Sequence, residues 1–161
     1  MRSVLPRSYE DQTCSIAGSL ALIGDRWTLL VLRDVFLRLS RFDEIQRDLG
    51  IARNVLSDRL GRLVSAGVLE RRVYQRRPAR SEYRLTDKGR DLWPVLVSLL
   101  QWGDRYVYGG RPPLVLRHRD CGGELTAWRA CAACGAQLGP RDVEARPGPA
   151  ASPALRAKLA S

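Results

Sequence analysis

A change of hydrophobic period constrains this chain more than any other feature. Up to Gly67, apolar residues recur every three or four positions, as one face of a helix requires; from Leu69 onward they alternate with polar residues, as a strand requires. Two short amphipathic segments joined across Gly50 precede the change. The first opens with Ser40-Arg41-Phe42-Asp43, a capping-box-like start, and lines up Phe42, Ile45 and Leu49. The second predicts a helix over 52–66, with Leu56, Leu60, Leu63 and Val64 inward and Arg53, Asn54, Ser57, Asp58 and Arg62 outward. Leu69, Arg71 and Val73 then alternate with Glu70, Arg72 and Tyr74, and a second alternating run covers 81–85. The loop 75–80 between them carries Arg76, Arg77 and Arg80, so the pattern is a β-hairpin with a basic tip. Two helices across a tight turn, followed by such a hairpin, define a winged helix-turn-helix, mainly α with a small β wing.

The flanks extend this plan. A short helix is expected over 14–22, closed by Gly24. Asp25 then caps a helix over 26–37 with almost no polar face, the buried centre of the domain. Thr86 caps a long helix reaching about Tyr108, which Pro94 should kink. That helix has two apolar faces, one of Leu92, Val95, Leu99, Trp102 and Tyr106, the other of Trp93, Leu96 and Leu100. A monomer needs one buried face, so the Trp93, Leu96 and Leu100 face is expected against a second copy.

Composition divides the chain into an N-terminal arm over 1–10, the winged helix over 11–110 and a Cys- and Gly-rich extension over 114–143. A tail over 144–161, rich in Ala, Pro, Gly and Arg, is expected to be disordered. Gly109-Gly110-Arg111-Pro112-Pro113 reads as the linker to the extension, and no internal repeat is present. Lys+Arg number 27 against 17 Asp+Glu, a net charge of +10 that favours a polyanionic partner. All but Lys88 and Lys158 of the basic residues are arginine, the side chain suited to guanine and phosphate. Arg53 and Asn54, near the start of the second helix, can reach guanine and adenine edges, with Ser57 and Asp58 beside them. Arg59 and Arg62 suit phosphates or carboxylates of the same chain equally well. Arg76, Arg77 and Arg80, with no acid between them, suit phosphates or the minor groove.

No apolar run is long enough for a membrane span, and residues 1–11 lack the apolar core of a secretory signal. The expected compartment is the cytoplasm, at the nucleoid, where cysteines are thiols or metal ligands. His118-x2-Cys121-x9-Cys131-x2-Cys134 pairs four ligands on two turns, with Gly122 and Gly135 directly after the second ligand of each pair. This is the logic of a zinc ribbon: four ligands complete a tetrahedral structural site. A Cys131–Cys134 redox pair and a ribbon without metal stand as alternatives. Cys14 is a lone thiol, either a redox sensor or an inert small side chain. An enzyme would need a cysteine nucleophile with His118 as base, yet the metal cluster already accounts for that histidine and three of the four cysteines. An adaptor that docks a protein partner on the ribbon is the other alternative to a DNA-binding regulator.

Five segments in order carry a resemblance: Gly24-Asp25-Arg26-Trp27-Thr28, Arg41-Phe42-Asp43-Glu44-Ile45, Leu56-Ser57-Asp58-Arg59-Leu60, Ala66-Gly67-Val68-Leu69-Glu70-Arg71, and Glu82-Tyr83-Arg84-Leu85-Thr86-Asp87-Lys88-Gly89. In these the chain resembles the HxlR family of winged-helix transcriptional regulators. The resemblance implies a homodimer built from the first and last helices. Its two recognition helices would enter successive major grooves of a pseudo-palindromic operator, with the wing along the backbone or minor groove. It also implies a response to electrophiles, oxidants or small metabolites, in some members through a cysteine near the N-terminus. Ser15 follows Cys14 where the family often has proline, Gly61 replaces a longer polar residue, and Ala52 stands where a capping Ser or Thr is common.

Overall fold

In the helix α2, Thr28–Phe36, burial runs right round the cylinder: Thr28, Val31, Leu32, Asp34 and Val35 are buried, and no residue between Trp27 and Leu37 is exposed. This computed structural model describes residues 15–77, 79–126, 130–149, 151 and 153–160. Cys14 and the arm 1–10 lie outside the described residues. The chain divides into two compact units, one ending at Gly89 and the other starting at Arg90.

In the first unit α1, Ser15–Ile23, closes where the Gly24 amide donates to the Leu20 carbonyl at 2.8 Å. Asp25 starts α2, its carboxylate accepting from the Trp27 amide at 3.1 Å. The helix ends with Arg38 at φ 72, a left-handed position held without glycine, and the Leu39 amide returns to the Asp34 carbonyl at 3.0 Å. Asp34 is fully buried; Arg33 closes over it with Nε 2.9 Å from Oδ1 and reaches Asp48 Oδ2 at 2.9 Å. In α3, Phe42–Leu49, the Glu44 carboxylate accepts from the Arg41 amide at 3.0 Å, the reach-back half of a capping box, and Gly50 ends the helix at φ 63. Helix α4, Arg53–Ser65, starts at Ala52 with no side-chain cap and buries Leu56, Leu60 and Leu63, which with Val31, Leu32 and Ile45 are almost wholly excluded from solvent. Each such side chain contributes about 1.5–3 kcal/mol of apolar burial.

The wing is β1, Leu69–Arg76, against β2, Ala79–Leu85, antiparallel with Leu69 facing Leu85 and Arg76 facing Ala79. Pairing therefore runs almost to the tip, where a loop over 75–80 was expected; a bulge at Tyr74 absorbs the change of register. The Tyr83 amide donates to the Ser40 carbonyl at 2.7 Å and so fixes the wing to the start of α3.

Thr86 caps as expected, its Oγ1 accepting from the Gly89 amide at 3.1 Å, but the helix it opens is the single turn α5, Asp87–Arg90. The main helix α6 begins anew at Trp93 and runs to Tyr106. Pro94 therefore lies in the first turn, where its missing amide costs nothing, and the expected kink is replaced by a break. In the second unit β3, Leu114–His118, pairs antiparallel with β4, Val143–Pro147, and α7, Pro153–Ala160, follows. The expectation of a disordered tail over 144–161 is thus corrected. The run from Val143 to Pro147 satisfies its amides on β3, a pairing that too few apolar residues announced.

Candidate nucleic-acid interface and metal centre

Arg53, Asn54, Ser57, Asp58 and Arg62 are all exposed on one face of α4, because Leu56, Leu60 and Leu63 turn the other face inward. Arg53 is already oriented: its guanidinium lies 3.1 Å from Asp43 Oδ1 and from Gln46 Oε1, and 4.7 Å from the centre of the Phe42 ring. Arg53 and Asp43 are 69% and 73% exposed, so this ion pair is weak and open to exchange with a phosphate or a base edge. Arg62 rests on Asp58 at 3.1 Å. Arg59 differs. Its side chain is only 18% exposed, and its Nε lies 2.9 Å from the same Asp25 oxygen that caps α2. Of the two partners the sequence allowed Arg59, the structure pairs it with the carboxylate, where it braces α4 against α2.

On the shaft of the wing Arg72 pairs with Glu70 at 2.8 Å and Arg84 with Glu82 at 2.6 Å, while Arg71 is exposed with no ion pair among the described residues. Arg76, Arg77 and Arg80 are exposed at the tip and have no ion pair among the described residues. Of the wing's arginines without an ion pair among the described residues, Arg71 lies on the shaft and the other three cluster at its end.

In the second unit the alternation of β3 turns Leu114, Leu116 and His118 inward together, so the first metal-type ligand is the third inward residue of a strand. Two turns of one design follow. The His118 amide donates to the Gly123 carbonyl and the Gly122 amide to the His118 carbonyl, both at 2.8 Å. The Cys131 amide donates to the Ala136 carbonyl and the Gly135 amide to the Cys131 carbonyl, again both at 2.8 Å. Gly122 and Gly135 have φ 69 and 73, a left-handed geometry that only glycine adopts freely. The two knuckles bring one nitrogen and three sulfurs within 4.8 Å of one another. His118 Nδ1 lies 3.2 Å from Cys121 Sγ and 3.6 Å from Cys134 Sγ, and Cys121 Sγ is 3.0 Å from Cys131 Sγ and 3.6 Å from Cys134 Sγ. On the far side of the imidazole, Nε2 stands 3.4 Å from Asp120 Oδ2, which leaves Nδ1 to face the sulfurs.

Burial alternates as well: His118 and Cys131 are buried, Cys121 and Cys134 exposed. The Cys131 thiol is lowered to about 6, chiefly because Cys121 donates to it, with the Cys134 amide adding to the effect. Donating to Cys131 pushes Cys121 up to about 11, although a hydrogen bond from the Gly123 backbone works in the opposite sense. The contact between the two sulfurs thus favours the thiolate form of Cys131, the form of cysteine that binds metals. Four soft donors converge on one point, and the residues fit a cation there.

Along α6 the apolar faces are disposed differently from the sequence expectation. Trp93 is buried and Leu96 and Leu100 are half-buried, whereas Val95, Leu99, Trp102 and Tyr106 are 46–62% exposed. Both stripes are equally apolar, so hydrophobicity alone could not rank them. Sequence reading also missed Gln101, whose side-chain amide donates to the Thr126 carbonyl at 2.8 Å and reaches the Leu125 carbonyl at 3.4 Å. A polar residue inside an apolar helix was the available signal.

An exposed polar recognition helix followed by a hairpin with a basic tip places the first unit among winged-helix DNA-binding proteins. Residues 22–110 match the model of the HxlR-like helix-turn-helix family, and the chain belongs to that family. It is 45% identical over 148 residues to an HTH-type transcriptional regulator of Mycobacterium tuberculosis, a match covering 91% of each chain. The crystal structure of the transcription factor PA1607 is 40% identical, covers 83% of this chain and 94% of its own, and superposes with a TM-score of 0.67. Reduced HypR, a redox regulator, is 29% identical, with 60% of this chain and 99% of its own covered and a TM-score of 0.54. The first two of these matches are longer than the winged helix alone. The chain is a transcriptional regulator of the helix-turn-helix type, and its relatives are regulators, not enzymes. Among the described residues no single helix is long and apolar enough to cross a membrane.

Proposed function

We propose that the chain acts as a homodimer that binds a pseudo-palindromic operator in the cytoplasm, and that one structural zinc ion holds its C-terminal ribbon. The observation that carries the DNA reading is the exposed Arg53, Asn54 and Ser57 face of α4 together with a wing whose tip carries three exposed arginines, Arg76, Arg77 and Arg80, with no ion pair among the described residues. Base edges would be read from Arg53 and Asn54, phosphates gripped from Arg62, Arg76, Arg77 and Arg80, while Asp58 orients Arg62. The exposed stripe of Val95, Leu99, Trp102 and Tyr106, rather than the Trp93 face, is the surface a second copy would cover. A small-molecule or oxidant effector accords with the redox regulators among the relatives; Cys14 is the candidate sensor.

The metal reading rests on the donor set. Three thiolates and one imidazole are a structural zinc set, and sulfurs around tetrahedral zinc stand ~3.8 Å apart. The observed sulfur–sulfur separations, 3.0 Å for Cys121 and Cys131 and 3.6 Å for Cys121 and Cys134, would open by ~0.8 and ~0.2 Å to reach this. Zinc there would staple a unit whose buried apolar residues, among them Leu114, Leu116, Leu138 and Val143, are few. Footprinting of the purified protein across a genome tests the operator reading: protected sites should be pseudo-palindromes with half-sites about one helical turn, ~34–36 Å, apart. Protection without a shared sequence would refute specific recognition.

A further inference from the structure

Gln101 sits on α6 immediately before Trp102, the most buried-prone side chain of a stripe that is nonetheless 57% exposed at that position. Its side-chain amide is spent on two backbone carbonyls, Leu125 and Thr126, so it recognises the placement of the ribbon backbone and not a side chain. Leu125 is the residue bridged to the metal-type ligand Cys131. The Ala132 amide donates to the Glu124 carbonyl at 3.1 Å, and the Thr126 amide to the Ala130 carbonyl at 2.8 Å. Segment 124–126 is thus laced to the second knuckle on both sides of Cys131, and Gln101 is laced to segment 124–126. One bridged residue pair separates a ligand from the helix that carries the exposed apolar stripe.

We propose that metal occupancy of the knuckles controls self-association, with Gln101 as the coupling residue. This rests on the metal and dimer readings above and adds a connection between them. A bound cation fixes Cys131, and with it the carbonyls of Leu125 and Thr126. Those carbonyls hold Gln101, and Gln101 holds the half of α6 that presents Trp102 and Tyr106. Loss of the cation releases segment 124–126 to solvent, the two acceptors are lost, and the stripe is no longer presented as one rigid surface. Both ends bias one element with two arrangements, α6 anchored or unanchored, which is what coupling between sites requires.

The test is sedimentation of the full-length chain, zinc-loaded and stripped by a strong chelator, as wild type and as Gln101→Ala, with zinc counted by elemental analysis. Stripping should weaken wild-type self-association about tenfold. Gln101→Ala should still bind one zinc but associate equally weakly loaded or stripped. Hydrogen exchange gives a second measurement: stripping should deprotect the amides of 101–106 in the wild type, whereas in the variant they should already be deprotected when zinc is bound. The coupling is overturned if zinc is bound and its removal leaves self-association unchanged, or if Gln101→Ala keeps the full tenfold response. Absence of zinc from the untreated protein would instead overturn the metal reading, and a loaded protein that stays monomeric would overturn the dimer reading; the proposal fails with either.

Discussion

Replacing Gly89 by alanine should damage the packing behind the wing. Gly89 has an ordinary helical backbone, so the constraint is space: a Cβ built on it overlaps the Val68 carbonyl oxygen and lies 3.0 Å from Leu85 Cδ2. That carbonyl is a hub: it accepts from the Thr86 amide at 3.2 Å, and Thr86 Oγ1, which donates to the Gly67 carbonyl at 2.6 Å, stands 3.1 Å from it. It cannot retreat without stretching the amide bond, worth about 1 kcal/mol. Forcing a methyl into a packed site adds about 1–3 kcal/mol, and the reduced freedom of the unfolded alanine chain returns about 0.5–1 kcal/mol. The net expectation is a loss of about 1–3 kcal/mol. Gly61→Ala is the internal control: Gly61 lies inside α4 with nothing within 4 Å of its added Cβ, so the same substitution should stabilise by about 0.5–1 kcal/mol. Urea unfolding followed by circular dichroism measures both. If Gly89→Ala unfolds within 0.5 kcal/mol of wild type (roughly the scatter of neutral surface changes), the hub reasoning is wrong; if both variants shift in the same direction, propensity and not space governs.

Arg38→Gly should stabilise the first unit by about 0.5–1 kcal/mol in the same assay, because φ 72 is a left-handed position that strains an arginine. Gly123→Ala puts a Cβ into Cys131 Sγ, so zinc affinity by competition with a chromophoric chelator should fall about tenfold or more; unchanged affinity would mean that the thiol does not point into the cluster. The Arg76, Arg77 and Arg80 triple alanine variant should weaken every duplex alike and flatten the dependence on salt, whereas Asn54→Ala should chiefly blur sequence preference by about 1–3 kcal/mol per base pair. Charged residues at Leu99 and Trp102 should give a monomer by sedimentation, while an unchanged oligomeric state would move the dimer surface elsewhere.

What could be read from the sequence followed from period and spacing. The stripe of Leu56, Leu60 and Leu63 is a helical repeat, and it alone dictates that Asn54 and Ser57 face outward. The candidate ligands His118, Cys121, Cys131 and Cys134 are displayed by spacing and by the glycines that follow Cys121 and Cys134, and they do converge. Long-range decisions were hidden. Pro94 is compatible with either a kinked helix or a new start, and only the turn at Asp91 and Leu92 selects the second. The strand over Val143–Pro147 has one buried apolar residue, Val143, so its identity comes from pairing with β3. Arg59 looked like its neighbours Arg53 and Arg62, because the carboxylate that captures it, Asp25, lies far away in the chain.

The alternation of buried and exposed ligands makes the two knuckles a pair of pincers, each with one rooted jaw and one reachable jaw. His118 and Cys131 are rooted; Cys121 and Cys134 face solvent and lie 3.6 Å apart. An ion seated between them would have a doorway on the side of Cys121 and Cys134. A competing thiol or chelator must displace Cys121 or Cys134 before it can touch a rooted ligand, and the remaining pincer holds the ion meanwhile at high effective concentration. Exchange would then proceed jaw by jaw, with slow loss by simple dissociation and fast loss to any partner that can approach from the doorway side.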